Sequence, residues 1–222
     1  MFIYRSINQG VFFPSRLIKI LSLFTALIIC SLALVTYANE EQKWTQRVEK
    51  DGVRVFTQKV KGSSIARFKA TTIIEADYEA VKEVVLDYPN YPLWYENYKS
   101  GTILLSDQEN GELIVKFIIN APFPIKDRDS VNQVFINQMD NFITIRLESR
   151  PNLAPQTKGQ VRMSVSSGEW KLIKTGNQTE VSLTYHADPE IPMPSWIANR
   201  YVVQGPANSL LNLKKRIEQI GS

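Results

Sequence analysis

"MPSWIANRYVVQGPANSLLNLKKRIE", residues 193–218, is the stretch on which the fold turns. Val203, Ala207, Leu210, Leu213, Ile217 and Ile220 recur at steps of three and four and so lie along one stripe of a helix. Asn208, Asn212, Lys215 and Gln219 fall largely on the other face. Ser195 is placed to cap the start of this helix, and Gly205-Pro206 to kink its middle. A helix with one apolar stripe must cover something, so the segments before it decide the architecture.

Those segments are mostly strands. A short polar helix over 37–46 leads in. Asp51-Gly52 is a turn signal, and 53–60 follows as a strand. Ala66, Phe68, Ala70, Thr72 and Ile74 alternate with mostly polar partners in a second strand. Asp77 caps a helix carrying Val81, Val84, Val85 and Tyr88, and Pro89 ends it. Then comes "YPNYPLWYENY", residues 88–98, whose five aromatic rings must pack on something. Six strands follow, over 102–106, 112–119, 130–137, 142–148, 160–173 and 180–187, joined by turns short enough to make neighbours antiparallel. Gly168 marks a bulge or a sharp bend in the longest of them. The layout is α+β, with one large antiparallel sheet and helices on one face. A sheet of this many strands curls. Closed by one amphipathic helix, it leaves a hydrophobic cavity.

The first forty residues stand apart. Arg5, Arg16 and Lys19 precede an apolar run from Ile20 to Val35, followed by Thr36-Tyr37-Ala38. This is the pattern of a signal peptide over 1–38, with the folded domain over 39–222. The competing reading is an uncleaved anchor over 17–35, at the lower edge of spanning length. Either way the protein is exported, to the periplasm or beyond, or tethered at the membrane. The leader carries three of the 26 basic residues and none of the 22 acidic ones, so the remainder is nearly neutral at +1. Nucleic-acid binding therefore loses its electrostatic support. The single cysteine, Cys30, lies in the leader, which leaves the domain without disulfides, a thiolate nucleophile or a thiolate metal site. His186 is the one histidine, and a metal site needs more ligands than that. No cofactor is expected.

Several stretches, taken in order, resemble the START lipid-transfer domains. They are Trp44 with "KDGVRVF" (50–56), "SSIARFKATTII" (63–74), "YPNYPLW" (88–94), "FPIKDRDSV" (123–131), "VRMSVSSGEWKLI" (161–173), "EVSLTYHADP" (180–189) and the closing helix. The resemblance implies a helix-grip fold, a curved antiparallel sheet wrapped around the long C-terminal helix. It also implies a tunnel for one lipid or sterol-like molecule. The family often has glycine after the Asp-Pro of the last strand. Here the chain reads Asp188-Pro189-Glu190-Ile191-Pro192, a stiffer entry to the closing helix.

Within that frame, Arg128 and Asp129 are the sharpest polar pair. Neighbours on a strand face opposite ways, so one can face the cavity and the other cannot. An arginine there suits a phosphate or carboxylate, and without ligand it needs Asp127, Asp129 or Glu148 nearby. Trp94 is expected at the cavity, and Met193, Trp196, Arg200 and Val203 on the lid. Trp196 also suits a transient membrane-surface contact. The protein is read as a monomeric, non-enzymatic lipid carrier or sensor. The alternative is a cyclase or hydrolase of the same superfamily using Asp127, Asp129, Tyr185 and His186 on a bound hydrophobe.

Overall fold

The structure, a computed structural model, describes residues 43–107, 111–189 and 194–221. Its strands are β1 (Thr45–Lys50), β2 (Val53–Gln58), β3 (Arg67–Ile74), β4 (Tyr98–Asp107), β5 (Glu112–Ile119), β6 (Arg128–Met139), β7 (Phe142–Ser149), β8 (Val161–Arg162), β9 (Val165–Thr175) and β10 (Gln178–Asp188). They form one sheet in the order β1-β2-β3-β10-β9-β7-β6-β5-β4. All neighbours along this path are antiparallel, and β8 pairs with β6 in parallel off the path. The helices are α1 (Tyr78–Leu86), α2 (Ser195–Asn199) and α3 (Gly205–Gly221), with a π-helical turn, Arg200–Gln204, between the last two.

The α3 stripe meets the sheet as its spacing predicts. Ala207, Leu210, Leu213 and Ile217 are buried in one core with Val53, Val55, Ala70, Trp170, Val181 and Leu183. Burying a leucine side chain fully, as at Leu210 and Leu213, stabilises by about 1.5–3 kcal/mol. Ile220, in the last turn of α3, is exposed. Asp77 caps α1 as expected, its carboxylate accepting from the Glu79 N–H at 2.9 Å. The start of α2 differs, because Ser195 is already helical and the Pro194 carbonyl accepts from Ala198 at 3.1 Å.

Three strand expectations need correction. The lead-in helix over 37–46 is replaced, from Thr45 on, by β1; residues 37–42 lie outside the described ones. β1 pairs with β2 across Asp51 and Gly52, both at positive φ (50° and 75°), the conformation of a tight two-residue hairpin. Its polarity reflects its place at the sheet edge, where both faces meet water. Gly168 marks no bulge, since the register with β10 runs unbroken through it opposite Tyr185, while the ladder with β7 ends at it, opposite Leu147. A Cβ there would lie 2.1 Å from the Tyr185 ring, so glycine is required by close approach. Finally, the run 160–173 is two strands, interrupted at Met163 and Ser164.

Candidate ligand-binding cavity

Arg128 and Asp129 face opposite ways along β6, and it is Arg128 that borders the cavity. Arg128 points inward and is 6% exposed, while Asp129 points to the convex side and is wholly buried. The segment 150–162 covers that side. Arg162 grips the Asp129 carboxylate with two nitrogens, Lys116 approaches at 3.4 Å, and the Thr157 N–H donates at 2.7 Å. Burial alone would raise the Asp129 pKa, but Arg162 and Thr157 outweigh it and hold the value at about 2. Of the other two acids expected near Arg128, Asp127 lies close enough to feel its charge, and both have partners of their own. Asp127 binds Lys99 at 2.6 Å and the Ala121 N–H at 3.0 Å, and Glu148 binds Arg150 at 2.7 Å and Arg146 at 3.1 Å.

Arg128 donates to the Pro189 carbonyl at 3.2 Å and to that of Lys126, tying the end of β10 to the loop before β6. Its side chain borders a cavity of about 120 Å³ between sheet and closing helix. The walls are largely apolar: Ile65 and Phe68 from the β3 side, Ile119 and Ile125 around the loop before β6, Met163, and Ile197 and Val202 from the closing segment. Four phenols, Tyr95, Tyr98, Tyr185 and Tyr201, also reach the wall. The Tyr201 hydroxyl donates to the Asn120 carbonyl at 2.5 Å, which latches the closing segment to the loop.

The lid register differs from expectation. Ile197, Tyr201 and Val202 line the cavity, whereas Arg200 is exposed and borders a shallow outer cleft. Val203 is buried but is not among the lining residues; the π-turn that carries it packs against β2 and β3. A π-turn holds one more residue than an α-turn. Counting back from Leu210 in α-helical steps therefore lands on the wrong side chains. Trp94 also lies off the cavity. It is 2% exposed and sits in an aromatic cluster with Tyr91, Tyr95 and Trp170, at ring separations of 4.8–6.1 Å. Met193 and the side chain of Trp196 lie outside the described residues. The phenols are what residue-by-residue reading missed as ligand contacts. Tyr185 was named only as an acid–base candidate of the enzymatic alternative; it lies on the inner face of β10, alternating with Leu183.

The family model of the START domain matches residues 32–221. The chain belongs to the START domain family. An uncharacterized protein of Pseudomonas aeruginosa is 31% identical over 180 residues, covering 80% of this chain and 88% of that one. The human phosphatidylcholine transfer protein is 23% identical over 181 residues, covering 78% and 82%. Among solved structures, a STAR-related lipid transfer protein from Xanthomonas axonopodis aligns with a TM-score of 0.71 at 27% identity, over 79% of this START domain chain and 99% of that one. Human StAR-related lipid transfer protein 5 shares the fold, with a TM-score of 0.73 at 17% identity over 86% and 94%. The helix-grip architecture is thus that of the START family.

Proposed function

We propose that this START domain is a non-enzymatic carrier or sensor that holds one lipid or other amphipathic hydrophobe in the cavity, with Arg128 meeting an anionic or strongly polar end. The observation that carries this reading is an arginine 6% exposed in an otherwise largely apolar wall. Its rigid fork of donors matches carboxylate and phosphate. The placement of three of the four alternative acid–base candidates also favours a carrier, and the fourth, Tyr185, borders the cavity. Asp127 and Asp129 are committed to cations, and His186 follows Tyr185 on β10 and so faces away from the cavity. Burial and the nearby Arg67 lower the His186 pKa.

The deciding experiment is mass spectrometry of organic extracts from the purified protein. A co-purifying lipid is expected. No bound lipid, together with no melting shift across a lipid panel, would overturn the reading, and consumption of the bound molecule would favour the cyclase or hydrolase. Arg128→Ala is expected to weaken binding of a fatty-acid anion by about ten- to a hundredfold, the scale of a hydrogen bond to a charged group. Isothermal titration with dodecanoate measures it.

Transient membrane contact belongs to the same proposal. Phe123 is 97% exposed on the loop whose neighbours Pro122 and Ile125 border the cavity, and Lys126 is exposed on the same loop. An exposed ring with a cation suits an anionic bilayer surface. Phe123→Ser is expected to slow lipid exchange between vesicles several-fold without changing affinity, read in a fluorescence transfer assay. The leader pattern supports an exported protein.

A further inference from the structure

The elements around the cavity all leave it at one level. On β3 the lining stops at Phe68 and on β10 at Tyr185; the next inward residues, Ala70 and Leu183, are buried in the core and do not border it. On β5 the lining stops at Ile119, with Phe117 behind it, and on α3 at Pro206, with Ala207 and Leu210 behind. The level at which they stop is a layer of rings. Phe68 and Tyr185 stack with centroids 6.2 Å apart, Tyr95 and Tyr98 lie at 4.3 Å, and all four border the cavity. A second layer backs the first. Tyr95 meets Trp170 at 6.2 Å and Tyr91 at 5.3 Å, Tyr98 meets Phe117 at 5.1 Å, and these three backing rings are buried. Gly168 serves the same layer, because the missing side chain lets the Tyr185 ring lie against β9.

We infer that Phe68, Tyr95, Tyr98 and Tyr185 form a floor that limits the guest to one short apolar chain or a single ring, and excludes two acyl chains. The inference rests on the carrier reading above and narrows its ligand class. A cavity of about 120 Å³ is close to the roughly 150 Å³ of an apolar cavity that holds one benzene. It is well below the roughly 300–1,000 Å³ of sites for larger ligands. Deepening it means displacing a ring that is itself packed on buried rings, and a close-packed interior resists that. Arg128 stands opposite Ile119 in the β5–β6 ladder, on the cavity side of the floor. A polar end held there leaves only the span down to the rings for the chain. A methylene that reaches this apolar span strengthens binding about fourfold, and one left in water adds nothing.

The test is isothermal titration of the purified protein with straight-chain fatty-acid anions from butanoate to tetradecanoate, each below its micelle concentration. Affinity is expected to climb about fourfold per methylene through the short members and to level off by about decanoate. Tyr95→Leu and Tyr98→Leu each remove a ring from the floor. Each is expected to move the levelling-off point to chains longer by about two methylenes, with hexanoate affinity unchanged within a few-fold. A second comparison needs no variant: octyl phosphate and dioctanoyl phosphatidate carry one and two chains on a phosphate. The wild type is expected to favour the single chain by at least about tenfold. A wild-type affinity that keeps rising to tetradecanoate overturns the floor, and so does equal binding of the two phosphates. A levelling-off point that stays in place in both variants, or variants that weaken every chain alike, would assign the rings to packing and overturn it too. If no member of the series binds the wild type, the carrier reading itself has failed, an outcome distinct from affinity that rises without limit.

Discussion

At the scale of single residues, Arg128 and Asp129 show how one peptide step assigns two similar charges to unrelated tasks. Arg128 faces the cavity, whereas Asp129 anchors the 150–162 segment to the convex side of the sheet. The folded pKa of Asp129 lies below its ordinary value, so it contributes stability that is fully present above about pH 4. That contribution is lost as pH falls through about 2. Asp127, lowered by its Lys99 partner, adds to the same trend. Asp129→Asn is expected to destabilise by roughly 3–5 kcal/mol at neutral pH, because it leaves Arg162 as an uncompensated buried cation. It should also flatten the loss of stability between pH 4 and 2. Urea midpoints over a pH series read both effects. That the two residues face apart was legible from strand alternation alone. Which of them faces inward was not, because it depends on the 150–162 segment, whose covering of β6 no local pattern announces.

At the scale of elements, long periodic segments were legible and their interruptions were not. The α3 stripe, the Asp77 cap and β5 lie where spacing puts them, because burial of one face dictates each. β1 was missed because an edge strand wet on both faces carries no apolar alternation. The kink expected at Gly205-Pro206 takes the form of a π-turn ending just before it, and Tyr201 and Val202 line the cavity in place of Arg200 and Val203. The extra residue has a testable role. Deleting Gln204 should restore α-helical phase and rotate the segment before it by about 100°. Ile197 and Tyr201 would then leave the cavity wall. The expected result is a fold retained by far-ultraviolet circular dichroism and a bound-lipid yield reduced at least several-fold in extracts.

At the scale of the whole molecule, the cavity is a by-product of a sheet curled around one helix. Most of its lining comes from parts whose first duty is packing. This is why the fold was far easier to read from the sequence than the ligand contacts. Family membership reinforces that asymmetry, since it brings the grip architecture and does not fix the side chains that line the cavity.

The strand order has a consequence in time. β3 pairs with β10, Phe68 lying opposite Tyr185, so the middle of the sheet joins segments more than a hundred residues apart. A ribosome must release nearly the entire chain before that seam can close, and the gripping helix emerges later still. Long-range pairing of this kind folds in milliseconds to seconds, far slower than local helix formation. The newborn chain therefore has an extended interval in which the two halves of the sheet are unjoined. Stopped-flow refolding, followed by tryptophan fluorescence of the Trp94 and Trp170 pair, should show its main phase on that slow scale. A microsecond main phase would contradict this account.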